Sequence, residues 1–247
     1  MKHLLICREY PPAPSGGIGT YAQAMARILA EAGETVHVIA QLWKGAEAPR
    51  EEQLDGRLII HRVPFLDWSA HPAWRPHPDL EANEEARGIY YSTSPGLAFG
   101  YMASLLAERL VEEEGIDLIE AQEYEAPLYF FQLRRALGLG PTRRPPVIVH
   151  LHSPTECITL HNDEDIAAPY RMVTKRLEDY TIAAADALIC PSRWQAEWVE
   201  KRHGLAPGSV RIIRLPLGRL PVLPRRPTGH STQPAESDSR NATVSPS

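Results

Sequence analysis

Pro14-Ser15-Gly16-Gly17-Ile18-Gly19-Thr20-Tyr21 joins a short apolar run, Leu4-Leu5-Ile6-Cys7, to a stretch in which Tyr21, Met25, Ile28, Leu29 and Ala32 recur at helical spacing. The turn feeds a helix N-terminus, where backbone N–H groups lack internal partners and the positive end of the helix dipole collects. Gly16, Gly17 and Gly19 put no side chains in the way of a ligand, so the turn suits phosphate or sugar hydroxyls. The competing reading is a tight crossover that uses glycine only for its backbone freedom. Tyr10-Pro11-Pro12-Ala13-Pro14 argues against it, because the prolines stiffen an overlong approach and shape it for a ligand.

The alternation that starts here continues along the chain. Residues 35–40, 58–63, 117–120, 147–151, 187–190 and 210–214 read as further strands, and 97–114, 126–137, 170–184 and 193–202 as helices. Six or seven parallel strands with crossover helices make one Rossmann-like, doubly wound α/β domain over residues 1–221. Residues 64–96, with Trp68 and Trp74, read as a long Pro-rich loop holding one helical turn around 80–87, and residues 152–168 as a polar loop. From 222 to 247 the chain is dominated by Pro, Ser, Thr and small polar residues, the composition of a disordered tail.

Composition narrows the class. A net charge of -5 and the lack of a basic run interleaved with aromatics speak against nucleic acid. The three cysteines, Cys7, Cys157 and Cys190, are far apart and odd in number, which fits buried thiols in a reducing compartment better than a disulfide framework. No apolar run approaches the roughly 20 residues that span a bilayer, and Met1-Lys2-His3 leads straight into a strand, so a cytoplasmic domain is expected.

In an open parallel sheet, ligands bind beyond the carboxyl ends of the strands. The residues expected on that rim are Arg8-Glu9-Tyr10 and the glycine loop, then Gln122, Glu123 and Tyr124, then His150, His152, Ser153 and Thr155, and finally Ser192 and Arg193. His152, just past an apolar strand, is the strongest candidate for chemistry, since imidazole can act as acid, base or hydrogen-bond donor. His150 points the same way only if the strand continues through both. Glu123 and Glu125 either orient an acceptor hydroxyl or solvate a helix start. Trp68 and Trp74 either stack on sugars or pin the loop. The acids of 161–165 have no metal-site spacing, and no metal is expected. Gly17-Ile18-Gly19-Thr20-Tyr21-Ala22 satisfies the permissive G-x-G-x-x-A dinucleotide pattern, but nine residues separate Cys7 from Gly17 and the second strand ends in Ala40-Gln41 with no acid for a ribose. NAD is therefore disfavoured, and a P-loop is excluded because no Gly-Lys-Ser/Thr follows.

Together, Glu9-Tyr10-Pro11-Pro12 through Thr20-Tyr21, Asp117-Leu118-Ile119-Glu120, His150-Leu151-His152-Ser153, Ala185-Asp186-Ala187, Cys190-Pro191-Ser192 and Pro216-Leu217-Gly218 resemble the N-terminal half of family 4 glycosyltransferases. The resemblance implies a GT-B fold and retaining transfer from a nucleotide-sugar co-substrate to a sugar or lipid-linked acceptor, without a cofactor or metal. It places Gly16, Gly17, Gly19, Thr20 and Tyr21 against the donor diphosphate and the acceptor, His152 on the donor sugar, and Glu123 and Ser192 among the substrate-binding residues. In that family a second domain brings the basic pair and glutamates of the donor site. Here a polar tail follows, so the chain is expected to be inactive alone or half of a split enzyme with a separate donor-domain chain, working in the cytoplasm or at the inner membrane face. The alternative is a non-catalytic module that binds sugar or phosphate or docks a partner.

Overall fold

The glycine stretch lies in a β–α–β unit in which β1 (Lys2–Ile6) runs into helix α1 (Gly17–Glu31), and α1 returns to β2 (Thr35–Gln41). The computed structural model describes residues 1–67, 75–92 and 94–216. It continues through β3 (Arg50–Gln53), β4 (Leu58–Val63), the short pair β5 (Leu66–Asp67) and β6 (Arg75–Pro76), and helices α2 (Pro78–Glu81), α3 (Glu84–Tyr90) and α4 (Leu97–Glu113). Then come β7 (Leu118–Gln122), α5 (Tyr129–Ala136), β8 (Val147–His150), α6 (Thr155–His161), α7 (Pro169–Ala183), β9 (Ala187–Cys190), α8 (Arg193–His203) and β10 (Val210–Ile212).

The main sheet has the order β10-β9-β8-β7-β1-β2-β4-β3, and adjacent strands are parallel except β3 against β4. The chain winds out from β1 through β2 and β4, then crosses by α4 to β7 on the other side of β1. Strand order reverses between β1 and β7, and a crevice opens beyond their carboxyl ends. The Rossmann-like expectation holds, with additions. β3, Arg-Glu-Glu-Gln, has no apolar alternation to read, because it is a charged edge strand that pairs on one side only. α6 lies inside the stretch expected to be a polar loop, and α2, α3 and the β5–β6 pair lie in the described part of the Pro-rich segment. The compact unit ends at Pro216. Trp68, Trp74 and the tail over 222–247 lie outside the described residues.

Period-2 alternation divides the core between the two faces of the sheet. Leu5, Cys7, Val36, Val38, Leu58 and Ile60 pack under α1 against Ala22, Ala26 and Ala30, whose small side chains let the helix lie close. Leu4, Ile6, Ile39 and Val63 face the larger cluster built with Ala98, Ala103 and Ala107 of α4 and Phe131 of α5. Each fully buried leucine or isoleucine contributes about 1.5–3 kcal/mol.

The Pro-rich approach is anchored to this core. Tyr10 is 2% exposed, and the buried Arg62 donates from Nη2 to the Pro11 carbonyl at 3.0 Å. The Pro11–Pro12 peptide is cis. Glycine is sterically required at only part of the loop. A Cβ at Gly19 would lie 2.3 Å from the Glu9 carbonyl oxygen and 2.4 Å from Ser15 Cβ, whereas one at Gly17 meets nothing within 4 Å. Gly19→Ala is therefore expected to cost about 1–3 kcal/mol, seen as a lower Tm. Gly17→Ala should leave stability within about 0.5 kcal/mol, so equal losses from both would contradict this packing.

Candidate active site

The glycine loop forms an open helix N-terminus. Gly16 is the N-cap of α1, no side chain caps the helix, and its first turn carries no acid. Gly16 N–H donates to Glu9 Oε2 at 3.2 Å, and Thr20 Oγ1 turns back to donate to the Gly16 carbonyl at 3.0 Å. Gly16, Gly17 and Thr20 are exposed while Gly19 is buried. Gly16 and Gly17 therefore expose backbone at the start of α1, and Gly19 supplies the close packing against Glu9 and Ser15.

One turn along α1, Tyr21 reaches across to β7 and β8. Its hydroxyl donates to Glu120 Oε1 at 2.6 Å, and its ring meets those of His150 and His152 edge-on at 4.3 Å and 5.1 Å. The two imidazoles are 4.4 Å apart, so His150 and His152 do point to the same face. Sheet pairing explains this, because Leu151 N–H still donates to the Ile189 carbonyl at 2.8 Å after β8 formally ends. His150 is 1% exposed, with Nδ1 3.4 Å from Glu120 Oε1.

Among the described residues the His152 imidazole has no hydrogen-bond partner. Burial, with a smaller push from His150, lowers its pKa to about 3. At neutral pH it is an uncharged donor and acceptor, not a cation. The unfolded chain takes up this proton near 6.5, so the contribution to stability is complete above that value and is lost as pH falls toward 3. In the free protein the His152 ring is expected to stay neutral from pH 8 to about 5. An NMR titration midpoint near 6.5 would refute that environment.

Glu123 occupies a different place from the one its position in sequence implies. Its side chain is fully buried behind the β8 loop, and its carboxylate accepts from His152 N–H at 2.8 Å and Ser153 N–H at 2.5 Å. Burial raises its pKa to about 7 against the pull of these N–H groups. A second carboxylate, Glu178 of α7, is 1% exposed. It accepts from Thr155 N–H at 2.7 Å, Thr155 Oγ1 at 2.6 Å and Glu125 N–H at 3.0 Å, and burial raises its pKa to about 8. Nothing in the pattern of α7 marks Glu178 as buried, because its burial comes from two loops folding over the helix.

Glu125 and Ala126 follow β7 in the left-handed region, at φ 60 and 47. Glu125 pairs with Arg8 at 2.8 Å, and Arg8 also lies 3.6 Å from Glu9. Glu125 and Gly96 form the wall between two cavities. One, of about 760 Å³, is lined by Trp43, Tyr91, Gln41 and Arg8, and the other, of about 590 Å³, by Tyr124, Thr159 and Tyr170. Both open beyond strand carboxyl ends, and neither was visible in the residue pattern. Ser192, at the end of β9 beyond β8, caps α8 by accepting from Gln195 N–H at 3.2 Å. The structure thus brings the start of α1, Tyr21 and His152 together, with Glu123 behind them. Among the described residues no helix is long and apolar enough to cross a membrane, and no group of three or more His, Cys, Asp or Glu is placed to hold a metal.

Solved structures with a similar arrangement include the catalytic domain of starch synthase IV from Arabidopsis thaliana bound to ADP and acarbose, at 15% identity and a TM-score of 0.47 over 87% of this chain and 51% of that one. Phytolacca americana UGT2 complexed with UDP-2fluoro-glucose and pterostilbene matches at 10% identity and a TM-score of 0.48, over 91% and 55%. The glycosyltransferase SnogD from Streptomyces nogalater matches at 14% and 0.41, over 91% and 53%. The chain thus spans about half the length of these structures. No curated protein matches it. The family model for Glycosyltransferase Family 4 matches residues 15–216, from the glycine loop to the end of the compact unit, and the chain belongs to that family.

Proposed function

We propose that this chain is the acceptor-side domain of a retaining glycosyltransferase that moves a sugar from a nucleotide-sugar donor to a hydroxyl acceptor. The observation that carries the proposal is the convergence, at the β1–β7 switch point, of an uncapped glycine-loop helix start with Tyr21 and the neutral His152. In this reading the backbone at Gly16 and Gly17 faces the diphosphate or acceptor hydroxyls, and His152 hydrogen-bonds the donor sugar. The cavities beside Glu125 receive the acceptor. Stabilising the leaving diphosphate needs cations, yet Arg8, next to the loop, is already shared by Glu9 and Glu125. The donor half of the site is therefore assigned to a second domain, supplied by a separate chain or by further sequence of the same protein.

The test is a transfer assay across UDP-, GDP- and ADP-sugars, with and without a donor-domain chain. Product is expected only with the second domain present. Robust turnover by this chain alone would remove the acceptor-side assignment. Sugar binding without transfer in any combination would favour a non-catalytic module.

A further inference from the structure

We propose that Glu123 is a positioning residue for His152, and that Glu178 completes the same clamp by fixing the loops on either side. The proposal rests on the reading of His152 as a substrate-facing group. It begins from an anomaly, since Glu123 is fully buried and Glu178 is 1% exposed in a domain whose other carboxylates are mostly at its surface. A buried carboxylate is costly unless hydrogen bonds compensate it. Here the compensation comes from backbone N–H groups of the two loops and from the Thr155 hydroxyl, and among the described residues no cation pairs with either carboxylate.

The connections are specific. Glu123, one residue past β7, takes the N–H groups of His152 and Ser153, which lie just past β8. Glu178 reaches up from α7 to take Thr155 N–H and Oγ1 on the β8 side and Glu125 N–H on the β7 side. The β7 loop is thereby held in the left-handed turn at Glu125 and Ala126, a conformation that non-glycine residues keep only when their surroundings impose it. His152 has no side-chain hydrogen bond of its own among the described residues, so its backbone N–H bond to Glu123 and its ring contacts with Tyr21 and His150 set its direction. Glu123 thus acts through the backbone of His152 without touching substrate, and misplacing a catalytic group by about 1 Å can cost on the order of 100-fold in rate.

The test compares wild type with Glu123→Ala and Glu123→Gln. Glutamine can keep an oxygen at the Oε1 position, which accepts from both His152 and Ser153 N–H, but it puts an NH2 in place of Oε2 and so loses the second acceptor of His152 N–H. Amide hydrogen exchange on the chain itself is expected to speed up by at least about 10-fold at His152 and Ser153 in Glu123→Ala, with β1 and β7 amides unchanged. The NMR contact between the Tyr21 and His152 rings should weaken in parallel, and Glu123→Gln should fall between the other two. In the assembled transferase, kcat is expected to drop about 10- to 100-fold with KM for the nucleotide sugar little changed. Unchanged exchange at Ser153, or an intact Tyr21–His152 contact in Glu123→Ala, would overturn the proposal, as would loosened loops with unaltered kcat. If wild type transfers no sugar in any assembly, the functional reading fails, while the exchange and ring-contact results still decide whether Glu123 positions His152.

Discussion

Replacing His152 with alanine is expected to lower sugar transfer by about 100- to 1000-fold while leaving the fold intact. The imidazole is half-buried at the crevice and makes no hydrogen bond among the described residues, so removing it leaves no hydrogen-bond partner unpaired. What is lost is a preorganised, uncharged hydrogen-bonding group held by the Glu123 clamp and by Tyr21. The effect should therefore fall on kcat more than on acceptor KM, and Tm should change by only a few degrees. His152→Gln, which keeps a donor of different reach, is expected to recover part of the rate. Because His152 is neutral well above its pKa of about 3, the wild-type profile should show no loss of activity from this group between pH 8 and 5.

The second large effect concerns the donor. Affinity of the isolated chain for a nucleotide sugar is expected to be no tighter than about 1 mM, and to improve at least 100-fold, or about 2.7 kcal/mol, with the donor-binding domain. The reason is electrostatic. The glycine loop offers backbone N–H groups, but Glu9 already holds Gly16 N–H, and the Arg8 charge is divided between Glu9 and Glu125. The chain as a whole carries -5, so no long-range field draws a diphosphate to it. Calorimetry with ADP-, GDP- and UDP-sugars measures this directly. A micromolar constant for the chain alone would mean that this domain holds the diphosphate unaided.

Much of the fold was legible because parallel strands buried on both faces are uninterrupted apolar runs, as at Leu4-Leu5-Ile6 and Val147-Ile148-Val149. β3 was not legible, because an edge strand of Arg50, Glu51, Glu52 and Gln53 is polar like a loop. At the candidate site, the strand-end rule placed the glycine loop and His152 on one rim, since where a parallel strand stops determines which residues lie at the sheet edge, whereas Tyr21 entered only through the family resemblance. It could not distinguish a carboxylate facing substrate from one folded behind the loop. Glu123 and Glu125 are two positions apart, yet one is buried under His152 and the other pairs with Arg8 at the wall of the cavities. That difference comes from the left-handed turn at Glu125 and Ala126, and the turn depends on Glu178, 53 residues further along. Ser192 has a role that a strand-end position does not announce, because its Oγ caps α8 by accepting from Gln195 N–H.

The central claim is that donor and acceptor meet at the β1–β7 switch point, against the glycine loop and His152. Photoaffinity labelling of the assembled transferase, with an azido derivative of the donor sugar nucleotide that supports transfer, tests it most directly. Peptide mapping is predicted to find label from this chain on the segments that hold residues 15–21 and 151–155, competed away by unmodified donor. Specific, competable label confined to other segments of this chain would contradict the account.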